Sequence, residues 1–566
     1  MKTFLYGMTV AASLAGAMVP GVSAAAGDYD KLVSLSNEWR QFAKPTIANC
    51  VPDYSVAAMA KKATELKGYQ SRLDAIKIDG WPEAQQIDYK LFKAELNGMD
   101  FDLRVLKPWA RDPTFYASVW SEQSDVPEHE GPSSEPIINL YEFSYPLSAA
   151  DQKKLTCMLG AVPTILENAK GSLQDSTARD LWVYGTRAFR EQSKTLSALE
   201  AGTLHLRTLA GDIPASLKGA DKTVVSAVQK AREATDAFQK WLDTEAPSKK
   251  GPSGVGKENY DWYMKNVHLV PYTWEQQATL LRRELERSRA SLALEEFRNR
   301  KLPQLEPVAN PAAYQAMADA KMNKIVNFLI DGGIVPDKPY YRDAMQQKKG
   351  GYTSLQQDAG FFAHTTMRNP LGIYSHNYHW IELARIKNEP NPSPIRSLTP
   401  VFDMYDSRSE GLATAVEEML MHAGMYDDDP RGREIVWIMA ANRAARGLAS
   451  LYVQSNDITM AEGGAFHARW TPRKWSDPAS DLVKFEQLLY LRQPGYGTSY
   501  ITGKILLDRL ISDYSAQVED EGKAFDLGDF FKHFNAAGIM PYPLIEEEMV
   551  KSPAHIGVPV ATKASK

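Results

Sequence analysis

The sequence predicts a mainly α protein: a large multi-helix fold with few short strands. Apolar residues recur three and four apart over long segments, and alternating apolar and polar runs are sparse. Gly and Pro gather at a few breaks instead of marking turns at the regular spacing of an all-β chain. The helical period runs over Tyr54–Leu73, Ile87–Leu106, Asp151–Lys170 and Ala178–Leu209, with a Pro-, Ser- and acid-rich loop expected at Ser121–Glu135. Pro, Gly and Ser cluster again from Pro247 to Lys257, which reads as a linker. After it, Thr273-Trp-Glu-Gln276 has the form of a capping box, and Leu281, Leu285 and Leu292 then repeat on one face up to Phe297. Asn388–Pro400 holds too many prolines for a helix. Helices are expected beyond it at Ser409–Ala423, Arg433–Leu451, Ser499–Tyr514 and Leu527–Ala537. No repeat of 20 to 50 residues is visible, which disfavours a solenoid.

Lys2, the apolar stretch Phe4–Val19 and the small-residue site Val22-Ser23-Ala24 make a secretory leader, cleaved near Ala24. The expected compartment is therefore the periplasm or the exterior. No later run approaches the ~20 uncharged residues that a membrane span needs. Because 566 residues exceed the roughly 250–300 that one core organises, we expect a signal peptide at 1–24 and two helical subdomains, at 25–250 and 258–550. The second carries the candidate site, and a flexible tail is expected at 551–566. Two cysteines, Cys50 and Cys157, are expected to pair in an oxidising compartment. A net charge of -5 with interspersed signs offers no basic stripe for phosphate backbones, so nucleic acid is excluded as a partner. A small molecule or peptide is the expected ligand, and the sequence does not fix the oligomeric state.

Four of the ten histidines, His364, His376, His379 and His422, fall within one short stretch. If Ser375 caps a helix, His376 and His379 share a face, with Glu382 a turn further on. Two imidazoles and an acid suit zinc or another divalent ion, although Asn377 stands where the HExxH motif has its base. The bland alternative packs His379 against Trp380 and leaves His376 to local hydrogen bonds. Glu410 and Glu417 are seven apart and share a face with Ala413 and Leu420, so at least one carboxylate points into apolar surroundings and needs a metal, a cation or a proton. Equally, Ser407 and Glu410 fit a capping box, and Glu418 is expected in solvent. The Gly-rich turn from Arg492 to Gly503 leads into a helix whose start carries Ser499 and Tyr500, where an anion or a developing oxyanion could be held. Asn442-Arg443-Ala-Ala-Arg446 sets two guanidinium groups three apart, able to clamp a carboxylate or to lie on the surface. No nucleophile elbow supports a serine hydrolase.

These pieces resemble the bacterial family called domain of unknown function 885, over about Tyr29 to Val550. Glu410-Gly-Leu-Ala-Thr-Ala-Val-Glu417 is similar to that family's EGWAxYxE helix. Pro494-Gly495 through Ser499-Tyr500 and Gly503 resemble its PGxxxSYxxG turn, and Phe525-Asp-Leu, Gly538 and Pro541 its closing stretch. The family's leading His and Glu are replaced by Ile373 and Tyr374, and its DTGxH segment by residues that include Ser450 and Gln454. The resemblance implies a zincin-like or peptidase-like helical fold with a deep central cleft, and an exported hydrolase of the metallopeptidase-like kind acting on small peptides or amides. The implied metal ligands are His376, His379 and Glu410, holding zinc or another divalent ion. Glu417 would act as general base or outer-shell acid, and Tyr500 would stabilise the oxyanion. Arg443, Arg446 and Ser499 would contact substrate. A metal-free, lyase-like acid–base enzyme and a non-catalytic binding protein stay open as alternatives.

Overall fold

The computed structural model describes residues 20–124, 137–356, 360–402 and 405–551, with side chains from residue 28 on. Lys2 and Phe4–Val19 of the expected leader, most of the expected Ser121–Glu135 loop and the tail after Lys551 lie outside the described residues. Helices dominate. The first group is Pro20–Ala43, Val56–Asp74, Glu83–Phe101, Ala149–Leu173, Arg179–Ala201 and Lys222–Glu245. Trp274–Arg298 and Pro311–Asp331 follow, then the short helices Leu371–His376 and Tyr378–Asn388. Asp406–His422, Pro430–Gln454, Met460–Trp470, Asp481–Arg492, Tyr496–Asp520, Leu527–Ala537 and Tyr542–Met549 complete the order of the main helices. The described strands form three two-stranded pieces: Ile47–Ala48 antiparallel to Val51–Pro52, Val119–Trp120 parallel to Ile138–Asn139, and Leu204–Thr208 antiparallel to Gly211–Ala215. No described helix is long and apolar enough to cross a membrane.

Local chemistry sets the boundaries. Ser55 caps Val56–Asp74, and the Thr273/Gln276 box forms in full at the start of Trp274–Arg298. The helix expected over Ala178–Leu209 stops at Ala201 instead. Gly202 takes the left-handed conformation (φ 70°) that closes a helix, and Leu204, Leu206 and Thr208 then alternate inward as a strand. The Ile87–Leu106 helix starts earlier, at Glu83, and widens into a π turn over Asp102–Leu106 before Lys107 ends it.

One large apolar core joins Ile87, Leu91 and Phe101 to Leu281, Leu285, Leu412, Leu448 and Phe530. A second gathers Tyr54, Leu159, Trp182, Phe189 and Phe238. A third packs Trp39, Leu66, Trp81 and Phe92 against Val401 and Phe402, the residues that lead into the Asp406–His422 helix. Cys50 and Cys157 are joined, 107 residues apart in sequence, with Cα atoms 5.8 Å apart. Reducing that bond should cost about 2–4 kcal/mol, chiefly by freeing the unfolded chain. Urea midpoints with and without reductant measure it, and coincident midpoints would count against a stabilising role.

Glu95 ties down the same approach. Its buried carboxylate accepts hydrogen bonds from the backbone N–H groups of Val401 (3.1 Å) and Phe402 (3.3 Å). Burial pushes Glu95 up to about 8 from an ordinary 4.5, against the pull of Arg40 and the two amides. The folded chain therefore keeps a proton that the unfolded chain releases. This contribution is fully present below pH 4.5 and is lost as pH rises through about 8. The melting temperature should fall between pH 5 and pH 8, and Glu95→Gln should flatten that fall. An unchanged slope in the variant would remove Glu95 as its cause.

The helices that meet at the site cross in backbone contact. A Cβ on Gly411 would lie 2.4 Å from the Gly503 Cα, and one on Gly503 would lie 1.9 Å from the Ser407 carbonyl oxygen. Only glycine at both positions lets Asp406–His422 and Tyr496–Asp520 approach so closely. On the other side, Gly447 of Pro430–Gln454 sits against the Gly497 carbonyl oxygen in the same way.

Candidate metal centre

These crossings bring Glu410, Tyr496, Tyr500, Arg443 and Arg446 to one place. The two histidines arrive differently from the expectation. Ser375 does not cap a helix through them: its hydroxyl donates back to the Leu371 carbonyl, and the chain breaks at Asn377 (ψ 13°). His376 thus ends one short helix and His379 lies in the first turn of the next. Their rings still meet, edge to face, with centroids 5.1 Å apart.

His376 Nε2 lies 3.3 Å, and His379 Nε2 3.2 Å, from the same oxygen, Glu410 Oε2. A ligand atom from each of the three residues falls within 4.8 Å of the others. Ligands at 2.0–2.1 Å around a tetrahedral ion stand about 3.3 Å apart, so the two edges to Glu410 match such a site, while the separation of the two imidazole nitrogens is bounded by the 4.8 Å of the cluster. Glu410 Oε1 accepts hydrogen bonds from the Tyr496 hydroxyl and, at 3.1 Å, from the Tyr500 hydroxyl. Burial alone would raise Glu410, but the imidazoles, His379 foremost, outweigh it and hold the carboxylate well below its usual range. Burial and then the Glu410 charge push Tyr500 far up, so its hydroxyl stays protonated and donates.

The second nitrogen of His376 is also faced by an acid. Nδ1 stands 2.9 Å from Glu417 Oε1, a charge contact outside good hydrogen-bond geometry. Glu417 is held in turn by Arg443, whose Nη2 is 2.6 Å from Oε1 and whose Nη1 donates to Oε2 at 3.0 Å. A neutral imidazole carries one N–H, so His376 can satisfy only one of its two carboxylates. The other nitrogen presents a lone pair to carboxylate lone pairs unless a cation or a second proton lies between them. This face-off and the donor set fit a divalent ion held by His376, His379 and Glu410.

Arg446 pairs with buried Glu486 and lies over the Tyr500 ring at 4.2 Å. Both arginines are buried, which excludes the surface alternative, and each already holds a carboxylate. The Ser499 hydroxyl donates to the Tyr496 carbonyl at 2.6 Å within its own helix. Glu382 does not join the histidines; it accepts two hydrogen bonds from Arg408 (3.0 and 2.8 Å) in the protein interior. The capping alternative for Glu410 fails because the helix already begins at Asp406, and the Ser407 hydroxyl has no hydrogen-bond partner among the described residues. Trp380 packs with Ala344 and Ala384. Glu418, expected in solvent, is buried beside Arg287 (2.7 Å) and Lys504 (3.4 Å). His364 stacks on Trp475, and His422 stands exposed near Glu418. Tyr374 donates to the Lys349 carbonyl, Ser450 to the Gly447 carbonyl, and Gln454 to the carbonyls of Tyr490 and Leu491. Sequence reasoning missed Tyr496 and Glu486. Tyr496 had a signal, since it stands one helical turn before Tyr500 on the same face. Glu486 had none, being 40 residues from Arg446.

Residues 42–338, more than half of the chain, match the family model described as "Bacterial protein of unknown function (DUF885)". The chain belongs to the DUF885 family. The matched segment ends before His376, so family membership rests on the part of the chain that precedes the candidate centre. No curated protein matches this DUF885 chain. Two solved structures share its fold. A "putative lipoprotein of unknown function" from Shewanella oneidensis is 14% identical, with TM-score 0.61 over 92% of this chain and 98% of its own. A "putative lipoprotein" from Colwellia psychrerythraea is 12% identical, with TM-score 0.57 over 93% and 98%.

Proposed function

We propose that this DUF885 protein is an exported, metal-dependent hydrolase of the peptidase-like kind, acting on small peptides or other amide-type substrates. The observation that carries the reading is the convergence of His376 Nε2 and His379 Nε2 on Glu410 Oε2, with a carboxylate on the far side of His376. Two imidazoles and one carboxylate form a three-ligand set of the catalytic type, which leaves a fourth position open. A divalent ion held by these three residues would supply Lewis-acid chemistry and activate water for attack. The chain's own residues do the rest. Glu417, fixed by Arg443, orients His376 and favours the tautomer with its proton on Nδ1, so that Nε2 is free to ligate. The Tyr500 hydroxyl, kept protonated and stacked near His376 (centroids 6.2 Å apart), is the donor for an oxyanion developing beside Glu410. His376 is the solvent-facing member, with 18% of its side chain exposed against 4% for His379 and 6% for Glu410. Substrate therefore approaches over the His376 edge.

Export is supported by the leader-like start, by the cysteine pair and by neighbours described as lipoproteins. Elemental analysis of natively purified, tag-free protein tests the metal: about one equivalent of Zn, Mn, Fe or Co is expected. Less than about a tenth of an equivalent would overturn it. The same face-off at His376 would then be relieved by a second proton, which favours the metal-free acid–base reading and predicts activity indifferent to chelators.

A further inference from the structure

Far from the histidines in sequence, a cleft of about 380 Å³ opens between the Trp274–Arg298 helix and the turn after Met460–Trp470. Arg289, Arg469, Arg473 and Lys474 line it, with Glu296 as the only acid in the lining. Arg473 is spoken for: Glu296 lies 2.7 Å and Glu434 2.9 Å from its Nη2. The other three cations have no carboxylate partner among the described residues.

Two of these groups are already ordered. Arg289 donates to the Trp470 carbonyl at 3.2 Å and lies over the Trp470 ring (5.4 Å), and the Arg469 guanidinium flanks the same ring at 5.8 Å. Arg473 rests near Trp475 at 5.7 Å. The backbone beneath is strained. Arg473 and Lys474 take φ values of 59° and 58° in succession, a conformation that residues with a Cβ adopt at a cost and that persists where the surroundings over-determine it. The strained turn begins at buried Thr471, which accepts a hydrogen bond from Asn442 (3.0 Å) and donates to the His467 carbonyl (3.0 Å). Three exposed cations without a carboxylate partner among the described residues thus border one concavity on a hydrogen-bonded floor.

We propose that this cleft binds a phosphate-bearing polyanion of the pyrophosphate or phosphomonoester class, with Arg289, Arg469 and Lys474 as its ligands and Arg473 as a fixed wall. Guanidinium forks match phosphate oxygens two at a time, and three free positive charges call for two or three negative ones, more than a single carboxylate brings. The volume falls within the range of small-molecule sites. The phosphate is either free or displayed on a lipid headgroup, and this site is independent of the hydrolase reading.

Calorimetric titration of the full chain with sodium pyrophosphate, alongside sedimentation with vesicles of phosphatidic acid or of phosphatidylcholine, tests the proposal. Saturable one-to-one binding of pyrophosphate is expected. It should weaken at least tenfold in the double variant Arg469→Glu/Lys474→Glu and stay unchanged in Lys67→Glu, an exposed charge elsewhere on the molecule. Any heat from metal drawn out of the histidine centre is common to all three proteins and cancels in the comparison. Charge-dependent binding to phosphatidic acid vesicles alone, lost in the double variant, assigns the ligand to a lipid surface. No binding of either probe, or equal losses in the double variant and in Lys67→Glu, overturns the proposal.

Discussion

Replacing Glu410 by glutamine is expected to abolish tight metal binding while leaving the fold in place. The glutamine side chain has the same shape and keeps one oxygen to accept from Tyr496 and Tyr500, so the packing around it need not change. It loses the charge that draws an ion between two imidazoles, and its amide nitrogen is no metal ligand. The loss in affinity should exceed the ~10–100-fold that follows removal of an outer-shell partner. Glu417→Gln provides that scale on the same protein. It disturbs the orientation of His376 without removing a ligand, and should fall within the ~10–100-fold range. Competition against a chromophoric chelator measures both variants, with circular dichroism as the check on folding. Wild-type affinity in Glu410→Gln would place any bound metal elsewhere. Equal losses in the two variants would mean that Glu410 orients the histidines and does not ligate.

How much of this was legible depended on how local the determinants are. The Leu527–Ala537 helix and the Thr273 capping box were readable because period and cap are set by residues within one or two turns. His376 and His379 stood out by their spacing, and Glu410 and Glu417 by theirs, although the break at Asn377 was invisible in a continuous helical pattern. Partners brought from far along the chain were not legible. Arg443 looked like a clamp for a ligand carboxylate, yet the carboxylate in its grasp is Glu417, 26 residues earlier. Glu418 looked solvated because its own helix shows only the face it occupies, and Arg287, 131 residues away, decides what covers that face. Glu382 seemed to belong with the histidines for the same reason. One turn along a helix gives direction only, and Arg408 on another helix supplied the charge.

Arg408 should prove the costliest single position for stability. Its guanidinium is fully buried, hydrogen-bonded twice to an equally buried Glu382 and stacked over Phe534 at 4.0 Å. Truncating Glu382 strands Arg408 in the interior, and truncating Arg408 leaves Glu382 with only the longer contact to Arg385; breaking a buried pair in this way costs about 3–5 kcal/mol. Arg408→Ala should pay the larger part of that range, because it also empties the volume over Phe534, whereas after Glu382→Ala the free guanidinium keeps its aromatic contact. Removing both charges together is a different matter. Glu382→Leu with Arg408→Met replaces the pair by apolar groups of similar size in surroundings that include Tyr378, Tyr542 and Phe534, and leaves only Arg385, 3.7 Å from Glu382, to turn toward solvent. The double variant should therefore be more stable than either alanine variant. Denaturant midpoints of the three proteins decide it. If both alanine variants lie within about 1 kcal/mol of wild type, the pair is solvated in practice and the charge-stranding argument fails. If the double variant is the least stable of the three, the interaction with Phe534 and its neighbours, and not the stranded charge, is what holds this part of the interior together.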